Sequence, residues 1–510
     1  MRTTKPSLAA PAVVRDALRD WRWLGWGAPL GVYVGIRYAP LGFGVETLLG
    51  AVLGGFVTVW AFRKPVRALT LLIILLPFHT LATALVYRVT GSVAIARDAA
   101  YWKESVGLAA AAAIFVRWRR EHHGVDWIDR VAIAYLMLGL VYLFAPGLFV
   151  TNVVGSLFDR AVGFRGDVFY VLLLLAARHA RFTEAELRRA VRWFLIVAGI
   201  AAAVAIVEFY ASGFWNDVAV NFFRIPRYRV EVLRISPALV NPDDLRVYGE
   251  VAGRQYLRVG SIELSFLTTA FYLALALAFA VDRFSRLEQF KATRAALGLA
   301  ILGLALLFTQ TRSAIVTAIV AVVLVVRRDR TRSERARVRG TAIILVMVAA
   351  IIPIAAAGGL LSRFTNDSGS SASHESSGRV GYTLLAHYPL GRGLSTAAGS
   401  GQRAEIANAA VTESQFLQIG TQLGVVGLAL WLLTLGGAAV RVQRSRSRIG
   451  TPDAALVASA VTAAAAGFTL GSYLHQSLIA YTVAWTFCIF LGAALGAADT
   501  APPVNDPYRA

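Results

Sequence analysis

The stretch ESQFLQIGTQLGVVGLALWLLTLGGAAVRVQRSRSR, residues 413–448, changes character twice. It opens polar, runs apolar from about 414 to 440, and ends in the arginine-rich segment RVQRSRSR at 441–448. An apolar run of roughly 17 to 25 residues crosses the hydrocarbon of a bilayer as a helix, and arginines at one end mark the side held against an anionic leaflet. The same pattern recurs along the chain. Apolar segments lie at about 24–42, 44–62, 67–87, 94–116, 130–150, 166–179, 191–212, 260–281, 295–310, 313–326, 340–358, 414–440, 453–473 and 476–497. They predict an all-α polytopic membrane protein, a bundle of about 12–14 transmembrane helices. Alternating segments of about ten residues are missing, which argues against a barrel.

Composition agrees with this reading. Of 510 residues 57% are hydrophobic, more apolar surface than one water-soluble core could hide. The formal charge of +21 suggests nucleic acid at first sight, but the arginines fall in short loops: RKPVR (63–67), VRWRREHHGVDWIDR (116–130), RHARFTEAELRRAVR (178–192), DRFSRLEQFKATR (282–294), RRDRTRSERARVR (327–339) and RVQRSRSR. No recognition module accompanies them, so no nucleic-acid partner is expected and the bilayer itself is the charged partner. The single cysteine, Cys488, sits in an apolar run and supports neither a disulfide framework nor a thiolate metal site. Arg15, Arg19 and Arg22 followed by apolar residues read as a retained signal anchor, the first membrane helix.

With a cytoplasmic N-terminus and every helix crossing, all six arginine-rich loops fall on the cytoplasmic side. The expected organisation is a cytoplasmic N-terminus (1–23), N-terminal membrane helices (24–212), a first external segment (213–259), central helices (260–358), a long external loop carrying site residues (359–413), C-terminal helices (414–497) and a cytoplasmic tail (498–510). Both external segments are too polar for lipid and too short for ordinary domains, so they are expected to cap the outer mouth of the bundle. NDSGSSASHESSG at 366–378 reads as a linker. RVGYTLLAHYPLG then turns helix-forming, and Pro389, Gly391 and Gly393 end that helix in a turn. No repeat of two similar halves is visible, which counts against an inverted-repeat transporter.

Soluble-enzyme motifs are missing: there is no G-x-x-x-x-G-K-[ST], no H-E-x-x-H, no G-x-S-x-G and no D-x-D pair. An enzyme of this composition is expected to work with no metal and no cofactor, on an activated substrate that arrives attached to the membrane. Arg312, in LLFTQTRSAIVTAI, separates two apolar runs at a tight hairpin. It reads either as a snorkelling arginine or as a guanidinium held at headgroup level, where its rigid fork suits two phosphate oxygens at once. Arg379 and His387 are about two helical turns apart and face roughly one side, whereas Arg392 between two glycines reads as a loop charge. Thr412 or Ser414 caps the next helix. Glu413 either complements that helix's dipole or serves as a general base, and Gln415 and Gln418 are near enough to bind sugar hydroxyls.

The order T-Q-T-R-S at a hairpin, R-V-G-Y-T-L-L-A-H-Y-P-L-G-R-G in a long loop, then E-S-Q-F-L-Q-I-G-T-Q-L-G-V-V-G-L opening a helix resembles the O-antigen ligase and O-antigen polymerase family over about residues 300–435. The resemblance implies a membrane glycosyltransferase of GT-C-like architecture at the outer face of a bacterial cytoplasmic membrane. Its donor would be a glycan on polyprenyl diphosphate, its acceptor a glycan or lipid-linked sugar, and its partners other polysaccharide-assembly proteins. By the same resemblance Arg312 and Arg379 match the family's essential arginines, which would hold the donor diphosphate; Glu413, read from its own place at the helix start, is the third catalytic candidate, and Arg258, His387, Gly391, Arg392, Gly393, Ser414 and Gln415 are the substrate-binding ones. Arg224, Arg227 and Arg229 of the first external segment would assist. The ligase branch has a histidine, usually followed by asparagine, where this chain has Glu413 and Ser414, so the resemblance leans towards a polymerase-like or exopolysaccharide-assembling member. The competing readings are a lipid-linked oligosaccharide flippase or polysaccharide transporter and a non-catalytic assembly protein. Transport predicts ionisable residues lining a path through the helices. Glu208 and Glu263 near predicted helix ends, and His475 in a short outer turn, do not draw one.

Overall fold

In the computed structural model the described residues are 45–121, 124–150, 155–251, 254–285, 289–328, 368–397, 412–478 and 480–500. The chain divides into two compact units, 1–60 and 61–510. The described part of the first is helical and belongs to α1 (Val45–Arg63).

The second unit is a helical bundle. Its elements are α2 (Pro65–Leu75), α3 (His79–Thr90), α4 (Val93–Ala100), α5 (Trp102–Arg120), α6 (Trp127–Phe144), α7 (Leu157–Asp167), α8 (Phe169–His179), α9 (Glu184–Tyr210), α10 (Phe266–Ser285), α11 (Gln289–Phe308), α12 (Arg312–Arg328), α13 (Ser368–His387), α14 (Gln415–Ser445), α15 (Pro452–Leu474) and α16 (Tyr481–Asp499). Short helical turns run from Ser212 to Val232, and one antiparallel hairpin follows, β1 (Val247–Val251) with β2 (Arg254–Arg258), Val247 facing Arg258. Among the described residues seven helices are long and apolar enough to cross a membrane, and two more apolar helices, Phe169–His179 and Ala296–Phe308, are shorter. The protein is an all-α, multi-pass membrane protein. The spans expected at 24–42 and 340–358 lie outside the described residues, and the span expected at 94–116 is broken at Tyr101 into α4 and α5.

Helix starts beside the arginine-rich loops follow from capping chemistry. Asp126 accepts the Asp129 backbone N–H while Asp129 accepts that of Asp126, a reciprocal box that satisfies two otherwise orphaned donors at the start of α6. Thr183 and Glu186 do the same for α9. Burial then sorts the helices: within their most apolar windows α16 is 83% buried and α10 and α15 are 72%, against 44% for α9 and 39% for α6 and α14. Helices α10, α15 and α16 are enclosed by other helices and carry buried polar side chains such as Asp282, Ser459 and Thr486, whereas α6, α9 and α14 leave more of their apolar surface outward, where lipid accepts it. Glycines at four-residue spacing bring backbones together there. A Cβ on Gly492 or Gly496 would overlap the Leu174 or Arg178 carbonyl oxygen of α8, and one on Gly467 or Gly471 would overlap Thr317 of α12.

Two features depart from the linear reading. The Ser/Gly-rich run expected as a linker is helical from Ser368, in the first turns of α13. That helix is seated further along, where Gly381 lies so close to α14 that a Cβ would meet Leu417 Cδ1 at 2.9 Å. Helix α14 is interrupted at Gly424, at φ 74° and ψ −177°. The break takes carbonyls and an N–H out of the helical ladder, and the P-L-G-R-G turn satisfies them: Arg392 N–H donates to Thr421 O (2.8 Å), Gly393 N–H to Gln422 O (3.0 Å), and Val425 N–H to Pro389 O (2.8 Å). Gly391, at φ 84°, permits the approach, since a Cβ there would sit 2.5 Å from Gln422 O.

Candidate functional site

A cavity of about 760 Å³ opens where β2, the α11–α12 turn, α13 and the facing ends of α14 and α15 converge. Arg258, Arg312, Arg379, Glu413, Ser414 and His475 line it. Phe266, Tyr382 and Tyr473 give it aromatic walls.

Each group is brought there by its own element. Val259 N–H donates to Phe308 O (3.4 Å), tying the end of β2 to the end of α11. This sets Arg258 beside the T-Q-T-R turn: its guanidinium lies 3.5 Å over the Phe266 ring, and its N–H groups reach Thr309 O and Thr311 Oγ1 at 3.5 Å. Gln310 takes a left-handed φ of 52°, which turns the chain sharply enough for Arg312 to begin α12. Arg379 extends from α13 and pairs with Glu375 one turn earlier (2.6 Å) on an exposed face. Such exposed pairs contribute only about 0–1 kcal/mol and yield readily to a stronger anion.

The α14 end is held more firmly. Ser414 is the N-cap residue by position, but its side chain accepts no N–H of its own helix and its hydroxyl donates to Ser472 O of α15 (3.1 Å). Gln415, expected at the substrate, is fully buried and accepts the Leu478 N–H (3.2 Å). Gln418 and Gln422 donate to the two oxygens of buried Asp167, at 2.7 and 2.9 Å, joining the first half of α14 to the end of α7. These amides brace the helix; neither Gln415 nor Gln418 lines the cavity.

Among the expected site residues, Arg258, Arg312, Arg379, Glu413 and Ser414 therefore meet at one cavity, and His387, Gly391, Arg392, Gly393 and Gln415 do not line it. His387 is exposed on the last turn of α13, its Nδ1 2.8 Å from Thr383 O. Arg392 lies 5.8 Å over the Tyr388 ring, and the two glycines serve the backbone contact with α14. His475 and the aromatic walls were not singled out as site residues. The signal for the histidine was a polar L-H-Q-S turn between two apolar runs facing the same way as Glu413.

A second cavity, of about 630 Å³, lies at the other end of α14 and has a different character. Buried Arg178 donates to Asp126 (2.5 Å), Asp129 (2.9 Å) and Asp499 (2.8 Å), Arg441 pairs with Asp126 and with Asp499 (2.7 Å), and His179 contacts Asp129 (3.0 Å). Burial alone would raise the Asp126 carboxyl; the hydrogen bonds from Arg178 and the Asp129 N–H, with the charges of Arg178 and Arg441, outweigh it and hold Asp126 well below the usual carboxylate range.

No curated protein matches the chain. Residues 297–432, which carry Arg312, Arg379, Glu413 and Ser414 and include the P-L-G-R-G turn with its docking site at Gly424, match the model of the family described as O-Antigen ligase, the family that the three motifs resemble.

Proposed function

We propose that the protein is a bacterial inner-membrane glycosyltransferase that moves a glycan from a polyprenyl-diphosphate carrier to an acceptor sugar hydroxyl, with the cavity facing away from the cytoplasm and both termini inside. The family match supports a membrane glycosyltransferase-type function. The observation that carries the finer reading is the convergence of Arg258, Arg312 and Arg379 with Glu413 on one cavity, from four segments far apart in sequence.

The acceptor hydroxyl attacks the anomeric carbon, the carbon–oxygen bond to the diphosphate breaks, and the electron pair leaves with the polyprenyl diphosphate. Negative charge grows on the departing oxygens, and the guanidinium groups that line the cavity stabilise it, Arg379 by exchanging its exposed pair with Glu375 for the diphosphate. Arginine suits this better than lysine because its planar fork meets two phosphate oxygens. Glu413 takes the hydroxyl proton, and the single displacement inverts the anomeric configuration. The aromatic walls suit the apolar faces of sugar rings.

The test is transfer of a lipid-diphosphate-linked glycan by purified protein in EDTA, comparing wild type with Arg379→Ala and Glu413→Gln at equal folded yield. Turnover in the wild type that both substitutions remove is the expected result. No turnover with several donors, or variants equal to wild type, would favour the flippase reading.

A further inference from the structure

We infer that His475 is a further catalytic residue, its Nε2–H donating a hydrogen bond to an oxygen of the departing diphosphate. The inference rests on the transferase reading above and adds a group that lies outside residues 297–432.

Its first support is position. His475 is the residue after α15, in extended backbone at φ −158° and ψ 166°, and it lines the same cavity as the arginines and Glu413. The second is how the turn is held. His475 N–H donates to Gly471 O (2.7 Å), Ser477 N–H donates to His475 O (2.9 Å), and the Ser472 and Ser477 hydroxyls are 2.5 Å apart. Gln476 Nε2 donates to Thr412 O, the residue before Glu413, and Ser414, the residue after it, donates to Ser472 O (3.1 Å). The histidine turn and the Glu413 segment are thus bonded together on both sides of the carboxylate, so the two groups keep a constant relation.

The third is the state of the ring. Gln476 N–H donates to His475 Nδ1 at 2.8 Å. A ring nitrogen that accepts a hydrogen bond carries a lone pair, so in the neutral imidazole the hydrogen is on Nε2. Protonating Nδ1 would set two N–H donors against each other at that distance. With that contact at Nδ1 the neutral ring presents its hydrogen through Nε2, which suits an oxygen gaining negative charge and leaves the base role to Glu413. When the carbon–oxygen bond breaks, the hydrogen stays on Nε2 and the bond to the leaving oxygen shortens as its charge grows.

Two near-isosteric variants separate this role from a structural one. Glutamine at this position can present an N–H near the place of Nε2 without serving Gln476, whereas asparagine can accept the Gln476 N–H near the place of Nδ1 but offers no donor to the cavity. The experiment measures transfer kinetics and polyprenyl-diphosphate binding for wild type, His475→Gln, His475→Asn and Arg379→Ala, with thermal unfolding of each. We expect His475→Asn to lose about 10²-fold in kcat with binding changed little, and His475→Gln to keep most of the rate. Asparagine as active as wild type, or glutamine the more damaging of the two, overturns the inference while Arg379→Ala leaves the transferase reading standing. A wild type that neither binds polyprenyl diphosphate nor transfers overturns both.

Discussion

The two charged ends of α14 are built from the same residue types to opposite effect. At the Ser445 end, Arg178 reaches Asp126, Asp129 and Asp499 at 2.5–2.9 Å, Arg441 pairs with Asp126 and Asp499, and the charges are satisfied within the bundle. At the Gln415 end, Arg258 contacts a carbonyl and a hydroxyl at 3.5 Å and lies over an aromatic face, and Arg379 makes an exposed one-turn ion pair. A buried arginine surrounded by carboxylates is a clasp between helices. At the wall of the 760 Å³ cavity, by contrast, three arginines from separate segments meet beside Glu413, the arrangement on which the proposed diphosphate contact rests.

Paired substitutions sharpen that contrast. Arg178→Ala leaves three carboxylates at a site from which their buried partner has gone, and breaking such a cluster costs about 3–5 kcal/mol. Unfolding in detergent should show that loss, with transfer per folded molecule unchanged. Arg312→Ala should do the reverse, lowering transfer by about 10²–10³-fold while the unfolding midpoint barely moves. If Arg178→Ala instead abolished transfer at full stability, the division between clasp and site would be wrong.

Gly424→Ala sits between the two ends. Its left-handed φ of 74° strains any side chain, and an added Cβ would press on the Pro389–Leu390 backbone, so a loss of about 1–3 kcal/mol is expected. Because the P-L-G-R-G turn is displaced with it, transfer should fall too, though less than for Arg312→Ala; paired unfolding and rate measurements check both.

Acid gives the smallest and most local effect. Asp126 has its carboxyl held below the usual range in the folded protein, so its contribution is complete above the unfolded value of about 3.9 and is lost as pH falls from there towards the folded value. Unfolding followed against pH should show wild type weakening below about pH 4, and Asp126→Asn, less stable at neutral pH, changing less over that window. Equal slopes would remove Asp126 from the clasp.

Much of this architecture was legible in one dimension. Apolar length and the position of arginine are local properties that dictate where a helix crosses lipid, and α6, α9, α10, α14, α15 and α16 follow the expected spans, with ends that differ by up to about two turns. The T-Q-T-R hairpin and the polar start of α14 were equally plain, because a charge between two apolar runs has few places to lie. The role of the glycine turn was not. Gly391 and Gly393 read as a helix-ending turn that binds substrate, yet their partner is the backbone on either side of Gly424 in α14, and nothing in P-L-G-R-G itself says that a helix elsewhere is broken.

By itself, then, the sequence determined a multi-pass helical membrane protein with arginines and a carboxylate flanking its polar segments, since hydrophobicity, charge and capping act over a turn or two of chain. Only the tertiary structure decided which of those groups share a cavity. It set Arg258 beside Arg312 through the bond from Val259 to Phe308, tied the His475 turn to the Glu413 segment through Gln476 and Ser414, and turned Gln415 and Gln418 inward. The physical reason is that such meetings depend on the packing of buried helix faces and on distant backbone groups finding hydrogen-bond partners, neither of which any local window of residues specifies.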